Sequence, residues 1–279
     1  ALFPHPDFDF IEGDIRDYET CLKAAEGMDV ILHQAALGSV PRSINDPLTT
    51  NSVNIDGFLN MLNAAKEKKV SRFVYAASSS TYGDSLALPK VEDQIGMPLS
   101  PYAVTKYVNE LYAHVFANLH GMEIIGLRYF NVFGRNQSPD GAYAAAIPKF
   151  VSAFLSHESP VVHGDGEQTR DFTYIDNVIQ MNHLAATTEN PDALNQVYNV
   201  ACGQRTSLND VIKGIREALV KYDSAIAEID VKHGPERAGD VRDSLADISK
   251  AETLLGYEPT HTLKEGIAEA IEWYRNTLK

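Results

Sequence analysis

The sequence predicts an α/β protein, a doubly wound parallel sheet with a smaller α/β lobe attached, and three observations carry that prediction. In the first half, short apolar segments alternate with helix-length amphipathic ones, the pattern of a parallel sheet covered on both faces. A hydroxyl run, Ser78-Ser79-Ser80-Thr81-Tyr82-Gly83, closes one apolar segment, and Tyr102 and Lys106 follow one helical turn apart. Both sit at strand carboxyl ends, where such sheets bind ligands. Beyond Asn131 the pattern changes to loops with Gly and polar residues, at 134–141 and 163–170, before helical periodicity resumes.

Taken in order, residues 8–11 read as a strand, 17–28 as a helix and 30–32 as a buried strand. Residues 45–69 read as one long helix, 73–77 as a strand, 101–119 as a helix and 124–130 as a strand. Further on, 207–222 and 263–278 are helical, while 175–187 and 197–201 still look like a helix and strand of the sheet. Pro101 at a first helical position and Ser207 as a cap mark two helix starts. These readings divide the chain into 1–131 plus 171–201, the sheet domain, and 132–170 plus 202–279, the second lobe.

A chain of 279 residues with 44% hydrophobic and 22% charged residues can bury a large core. The formal net charge of −14 argues against nucleic acid and anionic membranes, which call for a basic face. A small anionic ligand stays open, because a few arginines can reverse the sign locally. Cys21 and Cys202 stand far apart with no CxxC, and the nine histidines form no HxH, HxxxH or HExxH, so packing thiols and no metal are expected. No apolar run has membrane-spanning length and the start lacks a signal-peptide layout, so a cytoplasmic protein is expected.

Tyr102 and Lys106 stand at i and i+4 and share a helix face. A phenol is a poor base at neutral pH, and a nearby ammonium favours its ionised form. Alone the YxxxK pattern is weak, since thirteen tyrosines give roughly half a chance match. Its place after the hydroxyl run makes it a candidate for taking a proton from an alcohol while hydride leaves the same carbon. Ser78 is positioned to offer its hydroxyl to the same oxygen, with Ser79 and Ser80 beside it; serines in such turns also commonly satisfy backbone groups. On this helix Tyr102, Lys106, Asn109, Ala113 and Ala117 face one way, and Val104, Val108, Leu111, Val115 and Leu119 form an opposite apolar stripe. The stripe buries either in the chain's own core or, as we expect, in a homodimer through the helices near 45–69 and 101–119.

With these residues assembled, the chain resembles the extended short-chain dehydrogenase/reductase family, and within it the UDP-hexose 4-epimerases that act on N-acetylated sugars. The likeness runs through Gly13-Asp14-Ile15-Arg16-Asp17, His33-Gln34-Ala35-Ala36, Asn54-Ile55-Asp56-Gly57 and Pro101-Tyr102-x-x-x-Lys106. It continues through Arg128-Tyr129-Phe130-Asn131-Val132-Phe133-Gly134, Arg170-Asp171-Phe172 and Arg237-Ala238-Gly239-Asp240. The resemblance implies a Rossmann-type sheet binding NAD, with a UDP-sugar as substrate. By it, Asp14 and Ile15 hold the adenine, Ala35 and Ala36 line the dinucleotide path, and Asn54 supports that loop. Lys106 binds the nicotinamide ribose, and Tyr129 packs beside the nicotinamide. Asn131, Arg170 and Arg237 grip the diphosphate, Asp240 takes the uridine ribose, and Ala145 lies beside the hexose. Arg forks match phosphate oxygens and a carboxylate accepts from a diol, so these assignments are chemically coherent; ordinary ion pairing and turn capping are the bland alternatives.

Ser244 carries the substrate expectation: a small residue there leaves room for an acetamido group, pointing to interconversion of UDP-GlcNAc and UDP-GalNAc through a 4-keto sugar. A 4,6-dehydratase needs an acid–base pair where Ser79 and Ser80 stand. A UDP-glucuronate epimerase or decarboxylase would be supported by Arg42 or another cation facing the sugar. A catalytically silent protein is a third alternative. The family's opening strand, Gly-rich turn of the GxxGxxG type, helix and second strand have no counterpart here, so this chain alone is expected to bind dinucleotide poorly and to fold marginally.

Overall fold

The computed structural model describes residues 5–138, 145–236 and 242–278. Its central sheet has four parallel strands: β1 (Val30–His33), β2 (Arg72–Ser78), β3 (Glu123–Tyr129) and β4 (Gln196–Val200), hydrogen-bonded in that order. Successive side chains of β2 leave the strand on opposite faces. Phe73 and Tyr75 enter one core with Cys21, Phe58, Leu62 and Ala113, from the helices Tyr18–Ala25, Gly57–Glu67 and Pro101–His120. Val74 enters the other, with Ile125, Leu127, Met181 and Tyr198, beneath the helices Ile175–Thr187 and Ser249–Leu255. Both faces of the sheet centre are therefore apolar and covered, as the near-continuous hydrophobic runs of β2 and β3 require. Gly126 in β3 makes room for a neighbour: a Cβ there would lie 2.5 Å from the Tyr75 hydroxyl oxygen.

A third core gathers Phe133, Phe150, Phe154, Tyr174, Ile215 and Ile271 from the helices Ala146–Leu155, Leu208–Val220 and Leu263–Thr277 and the short strands around them. Ser207 accepts a hydrogen bond from the Asp210 N–H at 3.1 Å and caps its helix, and Ser100 does the same for Ala103 ahead of Pro101. Residues 242–247 stitch the sheet half to this lobe. On one side Ser244 N–H donates to the Thr169 carbonyl, at 3.1 Å. On the other, Lys90 N–H donates to Leu245 at 2.7 Å and Asp247 N–H to Lys90 at 2.9 Å.

Three local expectations are corrected. Residues 8–11 are not in a strand, and Phe10 and Ile11 are exposed. The helix expected over 45–69 is broken. Pro47 has no N–H to continue the first helix, and Asp46 caps a new one by accepting from Thr49 N–H at 3.0 Å. A π-turn, Ser52–Asp56, then precedes Gly57–Glu67. Strand β1 is only half buried, with Leu32 at 49% exposure, because it pairs on one side only among the described strands.

Candidate active site

Ser78 ends β2 and caps the 3₁₀ turn Ser79–Tyr82, its hydroxyl accepting from Ser80 N–H at 3.2 Å and from the Ser80 hydroxyl at 2.9 Å. The turn needs Gly83: its φ is +53°, and a Cβ would fall 1.9 Å from the Met97 carbonyl oxygen. Helix Pro101–His120 passes beneath this turn and places Tyr102 near enough to Ser78 for the serine hydroxyl to act on the phenol's ionisation. One turn on, the Lys106 ammonium is 3% exposed and donates to the Ala76 carbonyl of β2 at 2.8 Å. Ser78, Tyr102 and Lys106 thus meet at the carboxyl end of the central strand.

The electrostatics differ from the sequence argument in one respect. Burial pushes the Tyr102 phenol above its ordinary range, and the neighbouring Ser78 hydroxyl offsets only part of this. Burial also lowers the Lys106 ammonium to about 8. In the resting protein, then, desolvation outweighs the expected ammonium effect and the phenol holds its proton. His33, in the same neighbourhood, is 6% exposed between Phe58 and Phe73. Burial, with the charge of Lys106, depresses its pKa to about 3, so it is neutral.

Two cavities open beside this constellation. The smaller, about 200 Å³, is lined by Ser78, Ser79, Ser80, Lys90, Asn131, Arg170 and Ser244 among others. The larger, about 510 Å³, includes Asn131, Ala145, His163, Gln168 and Arg170 in its lining. Asn131 and Arg170 belong to both and mark the junction. The Asn131 side-chain amide donates to the Asp171 carbonyl at 3.0 Å, and the Arg170 guanidinium donates to the Thr169 and Arg242 carbonyls at 2.9 Å each. Asp171, fully buried, accepts from the N–H groups of Cys202 at 3.0 Å and Ala246 at 3.2 Å; burial raises it to about 6.

The remaining expected residues lie along the carboxyl edge of the sheet or near it. Asn54, 1% exposed in the π-turn, accepts from Leu37 N–H at 2.7 Å and donates to Leu37 carbonyl at 3.2 Å and Thr105 at 3.1 Å, fixing the loop that carries Ala35 and Ala36. Asp14 is exposed and held at about 2 by Arg16, whose Nε donates to it at 3.0 Å; Ile15 packs on Gly57. Tyr129 donates to Gln34 at 2.9 Å and accepts from Asn182 at 2.9 Å. Arg237 and Asp240 lie outside the described residues. Sequence reasoning overlooked Gln34 and Asn182 as partners of Tyr129, Thr105 as the partner of Asn54, and Lys90 in the smaller cavity. Of these, Thr105 alone had a signal, on the same helix as Tyr102.

Residues 2–201 match the model of the NAD dependent epimerase/dehydratase family. The chain belongs to that family. A putative UDP-glucose 4-epimerase of Methanocaldococcus jannaschii is 34% identical over 274 residues, covering 98% of this chain and 86% of the relative. A UDP-N-acetylglucosamine 4-epimerase from Methanobrevibacter ruminantium, solved with UDP-N-acetylmuramic acid, superposes with a TM-score of 0.90 at 38% identity, over 98% of this chain and 84% of that one. UDP-glucuronic acid 4-epimerase from Bacillus cereus, solved with UDP-glucuronic acid and NAD, gives 0.89 at 32% identity, over 99% and 84%. The family's cofactor is NAD, and the donor set here fits a dinucleotide. Lys106 spends one of its three N–H groups on Ala76, leaving two for a ribose diol beside the Tyr102 hydroxyl. No described helix is long and apolar enough to cross a membrane.

Proposed function

We propose that this protein is a UDP-hexose 4-epimerase, interconverting UDP-GlcNAc and UDP-GalNAc through a 4-keto sugar. The observation that carries the reading is the convergence of Ser78, Tyr102 and Lys106 beside a cavity lined by Ser79, Ser80 and Ser244. NAD, when bound, would supply a reversible hydride acceptor, so no net oxidation occurs. Asp14 and Ile15 would hold its adenine, Ala35 and Ala36 with Asn54 behind them would line its path, and Tyr129 would lie beside the nicotinamide. Lys106 binds the adjoining ribose. Tyr102, whose ionised form the Lys106 charge and a bound NAD would together favour, takes the 4-hydroxyl proton directly or through Ser78 and later returns it. Asn131, Arg170 and Arg237 hold the diphosphate, and Asp240 the uridine ribose. Held at that end only, the hexose is free to turn its other face between Ser79, Ser80, Ala145 and Ser244.

In this reading residues 1–131 with 171–201 carry the cofactor and 132–170 with 202–279 carry the nucleotide. The protein acts as a cytoplasmic homodimer, the reading supported by Leu48, Val104, Leu111, Val115 and Leu119, whose large apolar side chains are 81%, 46%, 50%, 45% and 73% exposed on the two expected helices. The deciding experiment offers UDP-GlcNAc, UDP-Glc and UDP-GlcA to the protein with NAD and follows C4 inversion by NMR. Tyr102→Phe should lose about 10²–10⁴-fold in kcat. Inversion undiminished in that variant would sink the mechanism, and absence of inversion with every UDP-sugar would sink the activity.

A further inference from the structure

The Ser78 hydroxyl has its hydrogen-bonding capacity allotted within the turn it caps. A hydroxyl oxygen carries one hydrogen and two lone pairs. Ser80 takes both lone pairs, its N–H donating to Ser78 Oγ at 3.2 Å and its hydroxyl at 2.9 Å. The first of these donors is fixed. The Ser80 carbonyl accepts from Gly83 N–H at 3.1 Å, and Thr81 and Tyr82 are buried, so the backbone of the turn is held. The second donor depends on the rotamer of one small side chain. Both serines line the smaller cavity, and Ser78 is itself buried, so the protein rather than bulk water decides what its oxygen meets. What remains to Ser78 is its hydrogen, with the Tyr102 phenol nearby.

An oxygen with no vacant lone pair cannot receive a proton. A relay from the sugar's 4-hydroxyl through Ser78 would therefore need Ser80 to let go first. A hydrogen offered to a phenol oxygen, by contrast, favours the phenolate, and a hydroxyl that is itself accepting bonds donates more strongly. We propose that Ser80 is a positioning residue: its hydroxyl saturates Ser78, so that Ser78 acts on Tyr102 only as a hydrogen-bond donor and the 4-hydroxyl proton passes to the phenolate without crossing Ser78. This rests on the UDP-hexose reading given above and chooses between its two proton paths. In that step the sugar O–H bond breaks, the Tyr102 O–H bond forms and the Ser78 O–H bond stays intact, while the hydride of the same carbon goes to the reversible acceptor already assigned.

The test measures Tyr102 ionisation and turnover separately, in the wild-type protein, Ser80→Ala, Ser80→Thr, Ser78→Ala and the double alanine variant. Ionisation is read from phenolate absorbance, as the difference between each protein and the same protein carrying Tyr102→Phe. Turnover is kcat for C4 inversion of UDP-GlcNAc, followed by NMR across the pH range in which a phenol ionises. Ser80→Ala should move the titration and the acid limb of kcat upward by at least about half a pH unit, a fraction of the worth of one hydrogen bond to a charged group. Ser80→Thr keeps the hydroxyl and should restore the wild-type curves, and the double variant should go no further than Ser78→Ala. In Ser78→Ala itself, kcat should climb back towards the wild-type value at high pH. An unmoved titration and acid limb in a folded Ser80→Ala protein leave Ser80 a cap of its turn and overturn the inference. A Ser78→Ala protein whose kcat stays low at every pH overturns it too, because that is the behaviour of a broken relay, and this arm needs no Ser80 variant to fold. Absence of inversion in the wild-type protein removes the UDP-hexose reading, while the absorbance titration still decides whether Ser80 acts on Tyr102.

Discussion

Replacing Arg128 with Met should destabilise the protein more than any loss of surface charge could. Arg128 and Glu110 are 4% and 7% exposed, and the guanidinium donates to the carboxylate from Nε at 2.9 Å and from a terminal nitrogen at 2.7 Å. Its other terminal nitrogen donates to the Glu92 carbonyl at 2.8 Å, and the whole group lies 4.8 Å over the Tyr82 ring. Tyr82 in turn donates to Asn199 at 2.6 Å, so the pair sits directly behind the Ser79–Tyr82 turn. Arg128→Met leaves a carboxylate buried without its partner, worth about 3–5 kcal/mol. Adding Glu110→Leu removes the stranded charge and should restore most of that loss, since an apolar pair of similar volume is often neutral in such a position. Urea unfolding followed by circular dichroism gives both quantities, provided the slope with denaturant stays constant. A single variant costing less than about 1 kcal/mol, or a double variant costing the sum of the two singles, would refute the reasoning.

Three further outcomes are expected. His33 has a folded pKa of about 3 against an ordinary 6.5, so its contribution is present above 6.5 and is lost as pH falls towards 3; stability should drop by about 2 kcal/mol between pH 7 and pH 5. His33→Phe should flatten that slope, and an unchanged slope in urea midpoints across this range would count against the buried neutral imidazole. Leu111→Glu with Val115→Glu places charge on the exposed stripe and should convert a dimer to a monomer in sedimentation velocity; a wild-type protein already monomeric removes the dimer from the account. Ser244→Tyr should abolish inversion of UDP-GlcNAc while sparing UDP-Glc in the NMR assay, and equal loss on both would discard the volume gate.

What could be read from the residues depended on how local the cause was. Tyr102 and Lys106 share a face because four residues separate them, and Ser100 and Pro101 announce their helix, so both were legible. The break at Asp46 and Pro47 is legible too, since Pro47 cannot continue a helix and Asp46 is a capping residue. The π-turn at Ser52–Asp56 was not, since it exists to aim Asn54 at Leu37, seventeen positions upstream. The pairing of Gln34 with Asn182 across 148 positions has no sequence signature at all. Lys90 reads as a solvated loop lysine; only its backbone bonds to Leu245 and Asp247 bury it. Residues 8–11 have strand composition, and composition alone does not make a strand.

The stretch 242–247 has its main chain fastened along both edges, to Thr169 and to Lys90, and Ser244 between them lines the smaller cavity. Bulk introduced at Ser244 should therefore press through Thr169 upon Arg170, which lines the larger cavity as well. On the proposed function, selectivity for the sugar and tenacity towards UDP are thus mechanically joined. A variant that changes which hexose fits should also bind the sugar-free nucleotide with altered strength, although no atom touching the uridine has been replaced.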